Sequence, residues 1–476
     1  MRFLSLNRLW PAAALLAACA VNPATGKKEL SLVGEGQEIA LGEETAASTR
    51  ATIGLYPNTE LQRYVGTLGQ KLAAISERPS LPWSFEVIDD PEVNAFAAPG
   101  GKIFVTRGIL PFLDSEAELA GVLGHEIGHV TARHSARQIT RQQLATVGLV
   151  AGSLLSDKVA QMAGGLQAGL GILFLSYSRG DESQADELGF RYMRRGAFDV
   201  REMPNVFAAL GRVGSLAGGG KVPAWQSSHP DPADRQAKAE QRARGLPADS
   251  LRGAIVNHDG YLRAIDGIVF GANPRQGYFD GTRFLHPDLR FRFEFPSGWK
   301  TVNRADAVVG ASAKEDAVIQ LSLGGQLSPE AALQKFAQQQ GVQTSPAERV
   351  TVNGLSGVTS EFQVQDPQQG TMAGRVLFVT YGGNTYQMLG YTTGTQYPGY
   401  SGVLRQSLQS FGSLTDPAAL NRQPAHLSLV RVPRAMTIEE FHRQYPSTVR
   451  MEVIAAINGV KPGETIAAGT TVKRVQ

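Results

Sequence analysis

A chain of 476 residues is long enough for two to four domains with their own cores. Its 46 Lys and Arg against 43 Asp and Glu leave a formal charge of +3, and the basic residues form no block of five or more, so no nucleic-acid partner is expected. A single cysteine excludes internal disulfides.

Residues 1–18 carry Arg2 and Arg8 ahead of the apolar run Leu9 to Ala18, the layout of a secretory signal. The following Leu16-Ala17-Ala18-Cys19 resembles the lipobox of bacterial lipoproteins, which implies lipidation of Cys19 and removes it as a catalytic nucleophile. Ala20 after the cysteine implies sorting to the outer membrane. The expected location is therefore the periplasm, with the membrane reached through a lipid anchor and residues 19–34 as a linker.

Residues 35–50 and 59–76 have helical periodicity, the second with Leu61, Tyr64, Val65, Leu68, Leu72 and Ile75 on one face. Trp83, Phe85 and Val87 alternate as a strand. Asn94, Ala95, Phe96 and Ala97, then Lys102 to Thr106, flank Pro99-Gly100-Gly101 as a hairpin. An exposed strand here could take a peptide onto the sheet edge through backbone hydrogen bonds, which makes Asn94, Ala95 and Phe96 candidate substrate contacts.

Ser115 and Glu118 predict a helix start as a capping box, and Leu119, Val122, Leu123, Ile127 and Val130 continue it as a buried apolar stripe. Within it, His125 and His129 are four apart and share one azimuth, so both imidazoles can reach one metal ion. Glu126 lies about 100° further round, placed to take a proton from an attacking water. His134 is five residues past His129, roughly 140° round the same helix, and Ala132 stands where a metzincin needs glycine; it is expected to be a solvated or capping residue.

The apolar region Leu144 to Leu175 is interrupted by Asp157, Lys158, Gln161 and Gln167, so neither half reaches the roughly 20 residues that span a bilayer; it is expected to be soluble and could cover a cleft. Glu182-Ser183-Gln184-Ala185-Asp186 opens another helical stretch, with Glu182 and Asp186 on one face. Placed about fifty residues after an HExxH, the pair reads as the gluzincin arrangement: Glu182 as third zinc ligand, Asp186 accepting a hydrogen bond from a ligand histidine.

Asn22-Pro23-x-Thr25-Gly26, Asn94-Ala95-Phe96, ELAGVLGHEIGHV, ESQAD and Ser228-His229-Pro230-x-x-x-x-Arg235 occur in the order found in the bacterial zinc metalloproteases related to HtpX and BepA, and the chain resembles that family over roughly residues 22–250. The resemblance implies one zinc ion per chain on His125, His129 and Glu182, with Glu126 as base. It also implies that His229 can cap the open zinc position, and that Arg235 steadies the substrate carbonyl or the developing oxyanion. HtpX is an integral membrane enzyme, whereas this chain resembles the periplasmic lipoprotein branch.

Residues 251–283 lose clear periodicity and are expected to be a connector. Residues 284–415 alternate strand-like and helical runs, an α+β domain in which FPSGW at 295–299 and VNGLSG at 352–357 resemble the PsbP-like sandwich. After a linker at 416–424, residues 425–476 resemble a LysM-type wall-binding module, βααβ in outline, which implies a peptidoglycan partner. The expected fold class is thus α+β: a mainly helical gluzincin domain over 35–250 with a small edge sheet, then the two accessory domains. The expected function is a zinc-dependent endopeptidase of the cell envelope acting on unfolded or misassembled envelope proteins, a substrate class implied by the resemblance alone. A chaperone-like scaffold with a structural zinc site is the rival. A serine hydrolase is excluded by the lack of a GxSxG elbow.

Overall fold

The computed structural model describes residues 19–141, 177–216, 225, 229, 232–366 and 370–476; the expected leader and the run from Leu144 to Leu175 lie outside them. The chain divides into two compact units. One comprises residues up to Arg50, Gly54–Gly271 and Ala425–Gln476; the other comprises Ala51–Ile53 and Ala272–Pro424. Among the described residues no helix is long and apolar enough to cross a membrane.

In the first unit, β1 (Cys19–Val21) and β2 (Lys28–Leu30) form an antiparallel hairpin ahead of helices α1 (Glu35–Thr52) and α2 (Thr59–Ala73). A three-stranded sheet follows in the order β3 (Ser84–Ile88), β5 (Lys102–Thr106), β4 (Ala95–Ala98), with β3 parallel and β4 antiparallel to β5. This leaves β4 as an edge strand. The β4–β5 connection requires glycine at position 100, where φ is +71° and a Cβ would lie 2.6 Å from Ile39 Cα.

Helix α3 (Glu116–Thr131) is buried from Ala117 to Thr131. Ser115 Oγ accepts from the Glu118 N–H, as its spacing predicts. Glu118 does not complete the capping box: its carboxylate accepts instead from the Asp114 N–H at 2.8 Å. Helix α4 (Arg179–Arg195) does have the reciprocal cap, built from Ser178 and Asp181. Helices α5 (Met203–Leu216), α6 (Pro232–Arg244) and α7 (His258–Ile265), with strand β6 (Val269–Phe270), complete this part of the unit.

Residues 425–476 have the expected βααβ outline: β7 (Ala425–Arg431), α8 (Ile438–Gln444), α9 (Met451–Ile457) and β8 (Thr471–Val475), with β7 antiparallel to β8. They are not a separate module. β7 also pairs with β6, and Leu427, Ile438, Phe441, Ile454 and Val475 join the same apolar core as Val65, Leu119 and Ile127. Lys473, 1 % exposed, donates to Leu113 O at 2.8 Å and pairs with Asp114 at 2.6 Å, just ahead of the α3 cap. The expected connector at 251–283 is likewise divided, since α7 and β6 belong to this unit and the boundary falls after Gly271. Periodicity shows that a segment has an apolar face but not which partner covers it.

The second unit mixes helix and sheet. Eight strands form an antiparallel sheet whose centre is Ala317–Gly325, Asn384–Thr393, Gly370–Tyr381 and Leu355–Asp366. Two helices, Pro329–Ala337 and Tyr397–Leu408, contribute to two distinct apolar clusters, one around Phe336, Phe362 and Phe378 and the other around Phe291, Leu404 and Phe411. The expected linker at 416–424 lies in this unit and includes the short helix Pro417–Leu420.

Candidate metal centre

The site is made by two helices that approach unusually closely. A Cβ on Gly189 of α4 would lie 2.9 Å from His125 N, and one on Gly128 of α3 would lie 2.9 Å from Ala185 O. Only small residues permit that spacing, and it brings His125 and His129 on α3 opposite Glu182 and Asp186 on α4.

His125, His129, Glu182 and His229 each present one donor atom, all within 4.8 Å of one another and all buried. His125 Nε2 lies 3.0 Å from His129 Nε2 and 3.3 Å from His229 Nδ1. Glu182 Oε1 lies 3.3 Å from His129 Nε2 and 3.0 Å from His229 Nδ1. Tetrahedral zinc with bonds of about 2.0–2.1 Å has donor–donor edges of roughly 3.3 Å, so the donor set fits that ion in type and spacing. Its chemistry points the same way. Two imidazole nitrogens facing each other at 3.0 Å need a proton or a cation between their lone pairs.

Glu126 lies beside these four. Its Oε1 is 3.7 Å from His229 Nε2, and among the described residues its buried Oε2 has no hydrogen-bond partner. Burial lifts its carboxyl above the ordinary glutamate value. Burial would also raise Glu182, but His229 and His125 outweigh it and hold that carboxyl well below the ordinary range. Burial depresses His125 and His129. For His229 burial acts the same way but is overcome by Glu182, and the net shift is upward.

Asp186 Oδ1 lies 2.9 Å from His125 Nδ1, the pairing expected from the sequence, and Arg235 Nη2 lies 3.2 Å from the same nitrogen. Arg235 differs from expectation. Its Nε and Nη2 bind Asp186 at 2.9 and 2.6 Å, its Nη1 binds Glu182 at 2.9 Å, and it lies over the Phe207 ring. Its Nε–H and one Nη2–H thus donate to Asp186, and its contact with Glu182 is an ion pair, so the guanidinium faces carboxylates instead of an open cleft. Asn94 and Ala95 line an apolar pocket beside His125 with Val122, Val206, Phe207 and Trp225, whereas Phe96, the next residue along the strand, packs on Phe104. The side chain of Cys19 lies outside the described set.

His134 corrects the reading of a solvated residue. It is 1 % exposed, with Nδ1 2.9 Å from His129 Nδ1 and Nε2 2.9 Å from Gln184 Oε1. The helical-wheel argument fails because α3 ends at Thr131 and Arg133 takes φ +57°, which redirects the chain before helix resumes at His134. Arg133 is held by Glu38 at 2.7 Å and by Val33 O at 2.6 Å. A left-handed arginine fixed by distant partners leaves no local signal. Tyr177, whose ring stacks on His129 at 3.9 Å, is another part that sequence reasoning missed.

Residues 59–243 match Peptidase family M48. Over 240 residues the chain is 34 % identical to the beta-barrel assembly-enhancing protease of Yersinia pestis, covering 49 % of each protein. It is 40 % identical over 183 residues to the mitochondrial metalloendopeptidase OMA1 of Schizosaccharomyces pombe, covering 37 % of this chain and 52 % of that one. The chain thus spans about half the length of the curated relatives it matches. Among solved structures, PsbP from Synechocystis sp. PCC 6803 aligns with 28 % of this chain and 94 % of its own at 16 % identity and a TM-score of 0.24.

Proposed function

We propose that the chain, whose residues 59–243 match Peptidase family M48, is a zinc-dependent endopeptidase of the bacterial cell envelope. The observation that carries the reading is the buried donor set His125, His129, Glu182 and His229 with the unpaired carboxylate oxygen of Glu126 beside it. His125, His129 and Glu182 hold the ion. When bound, zinc supplies Lewis acidity to water and to the scissile carbonyl. Glu126 accepts the proton of the attacking water and passes it to the leaving amine, its Oε2 having no other partner among the described residues. The edge strand β4 aligns the substrate backbone, with Asn94 and Ala95 at the cleft. Asp186 orients His125, and Arg235 positions Glu182 and Asp186.

His229 at the fourth corner has two readings. A structural zinc site is closed by a fourth side chain, as a scaffold protein would need. A latent protease would carry the same histidine as a removable cap, and Glu126, whose Oε2 has no hydrogen-bond partner among the described residues, favours this reading because a structural site has no use for a base. Glu126→Gln is expected to keep zinc and lose cleavage of unfolded casein, while His129→Ala loses both. His229→Ala is expected to raise basal cleavage. If Glu126→Gln cleaves as fast as its parent, the protease reading fails.

The relatives' name, beta-barrel assembly-enhancing protease, extends the proposal to misassembled outer-membrane proteins as substrates; proteins accumulating on a Glu126→Gln trap, compared with parent, test it. The lipobox-like segment supports an outer-membrane lipid anchor at Cys19. Cys19→Ser should then release the protein from the membrane fraction, and unchanged fractionation would reject the anchor. The βααβ outline of residues 425–476 supports peptidoglycan binding. From the FPSGW and VNGLSG segments, residues 284–415 are proposed as a PsbP-like α+β accessory domain.

A further inference from the structure

We infer that Gln184 and His134 form a neutral hydrogen-bond relay that fixes the tautomer of His129, leaving its Nε2 bare for metal. The zinc consequence rests on the M48 reading; the direction of the hydrogen bonds does not.

The direction follows from which atoms can donate. Gln184 Oε1 is a carbonyl oxygen and only accepts, so the 2.9 Å contact requires His134 to carry its proton on Nε2. A neutral imidazole has one N–H, which leaves His134 Nδ1 with a lone pair. The 2.9 Å contact to His129 Nδ1 then requires His129 to be the donor. A neutral His129 protonated on Nδ1 presents a bare Nε2 to His125 Nε2 and Glu182 Oε1. Reversing the chain would place a hydrogen on His129 Nε2, aimed into the donor cluster.

An amide can be turned over, so the polarity needs a second support, and Asp181 provides it. Its Oδ1 is 3.8 Å from His134 Nε2, and its carboxylate is held by Ser178 and Arg137. An ionised carboxylate only accepts, so both groups facing His134 Nε2 favour a proton there. His129 and His134 are 0 and 1 % exposed, and Tyr177 covers the His129 ring, so water has little access to the relay.

The two helix α3 ligands are thereby oriented by different chemistries. His125 has the carboxylate of Asp186, whereas His129 has an imidazole backed by an amide. A zinc histidine commonly donates its second N–H to a carboxylate, a carbonyl or water. Here the atoms in contact with His129 Nδ1 and with His134 Nε2 at hydrogen-bond distance are an imidazole nitrogen and an amide oxygen, and the nearest carboxylate, Asp181, stands 3.8 Å from His134 Nε2. Gln184 and His134 are positioning residues, since neither lies among the four donors.

The test uses the metal-free full chain labelled with 15N-histidine, in which long-range proton–nitrogen correlations read each tautomer directly. The expected result is His129 protonated on Nδ1 and His134 on Nε2. Gln184→Met, neutral and of similar length, removes the acceptor. It should let His129 populate the other tautomer and weaken zinc affinity by roughly 10–100-fold in chelator competition. Gln184→Glu, which still accepts, should keep His134 protonated on Nε2 and so controls the tautomer readout. A parent protein with His134 protonated on Nδ1 overturns the relay, as does a Gln184→Met protein with unchanged tautomers and zinc affinity. A parent with the expected tautomers that binds no zinc upholds the relay and rejects the M48 reading.

Discussion

At the scale of single residues, the centre is a balance of buried charge. Glu182 and Asp186 both lie against Arg235, and all three side chains are nearly sealed from water. Removing one member of such a group strands the others, which costs about 3–5 kcal/mol where burial is complete. Arg235→Ala is therefore expected to lower stability on that scale and to weaken zinc retention, because Glu182 loses the partner that holds its carboxylate in place. A denaturant titration with zinc measured in parallel checks this, and a variant of parental stability would show that Arg235 is not a keystone. His125 with His129, and Glu182 with Asp186, were legible in the sequence because a spacing of four puts each pair on one helical face, and Glu126 because it follows His125 within the HExxH pattern. The positions of His134 and Arg235 were not, since one depends on a left-handed Arg133 and the other on which of several acceptors a guanidinium meets.

At the scale of elements, α3 was legible from its cap and apolar stripe, and β4 with β5 from the glycine turn between two strand-like runs. The contact between α3 and α4 was not, because glycines at 124, 128 and 189 have no side chain to contribute to a hydrophobic pattern. Near the start of α3 lies a second buried carboxyl, Glu118, which is 2 % exposed. Burial first, then Asp114, pushes its pKa up to about 8 from an ordinary 4.5. The sign follows from linkage. Between those two values the folded chain holds a proton on Glu118 that the unfolded chain has lost, so the stability it confers is complete below about 4.5 and declines as pH rises through about 8. The slope cannot exceed about 1.4 kcal/mol per pH unit for one group. Glu118→Gln, neutral at every pH, is expected to flatten this part of the stability profile in urea titrations at pH 5, 6.5 and 8. A variant profile parallel to the parent's would remove Glu118 as its source.

At the scale of the whole molecule, the sequence presents residues 425–476 as a small unit after a linker, while the structure folds them into the unit that holds the metal centre's donor set. The difference is physical. The segment's own apolar residues would serve an independent βααβ core equally well in sequence, and the pairing of β6 with β7, the shared apolar core and the burial of Lys473 reveal the docking. Lys473 binds Leu113 O and Asp114, immediately before the Ser115 cap, so the segment bears on the start of the helix that holds His125 and His129. A wall-binding role and a bracing role are compatible, but they require different experiments. A free fragment starting at Ala425 would leave β7 without β6 and expose apolar surface, so sedimentation with peptidoglycan should be measured on the full chain. For the brace, a chain ended at Pro424 is expected to lose several kcal/mol of stability, since burial of each large apolar side chain contributes about 1.5–3 kcal/mol. Lys473→Met leaves the apolar contacts in place and removes the two polar ones, so it should cost about 1–3 kcal/mol and no more. Both variants are read by thermal unfolding of the first unit with zinc retention as a second signal. Parental melting in the truncated chain would mean that the segment is a passenger on that unit, whatever it binds.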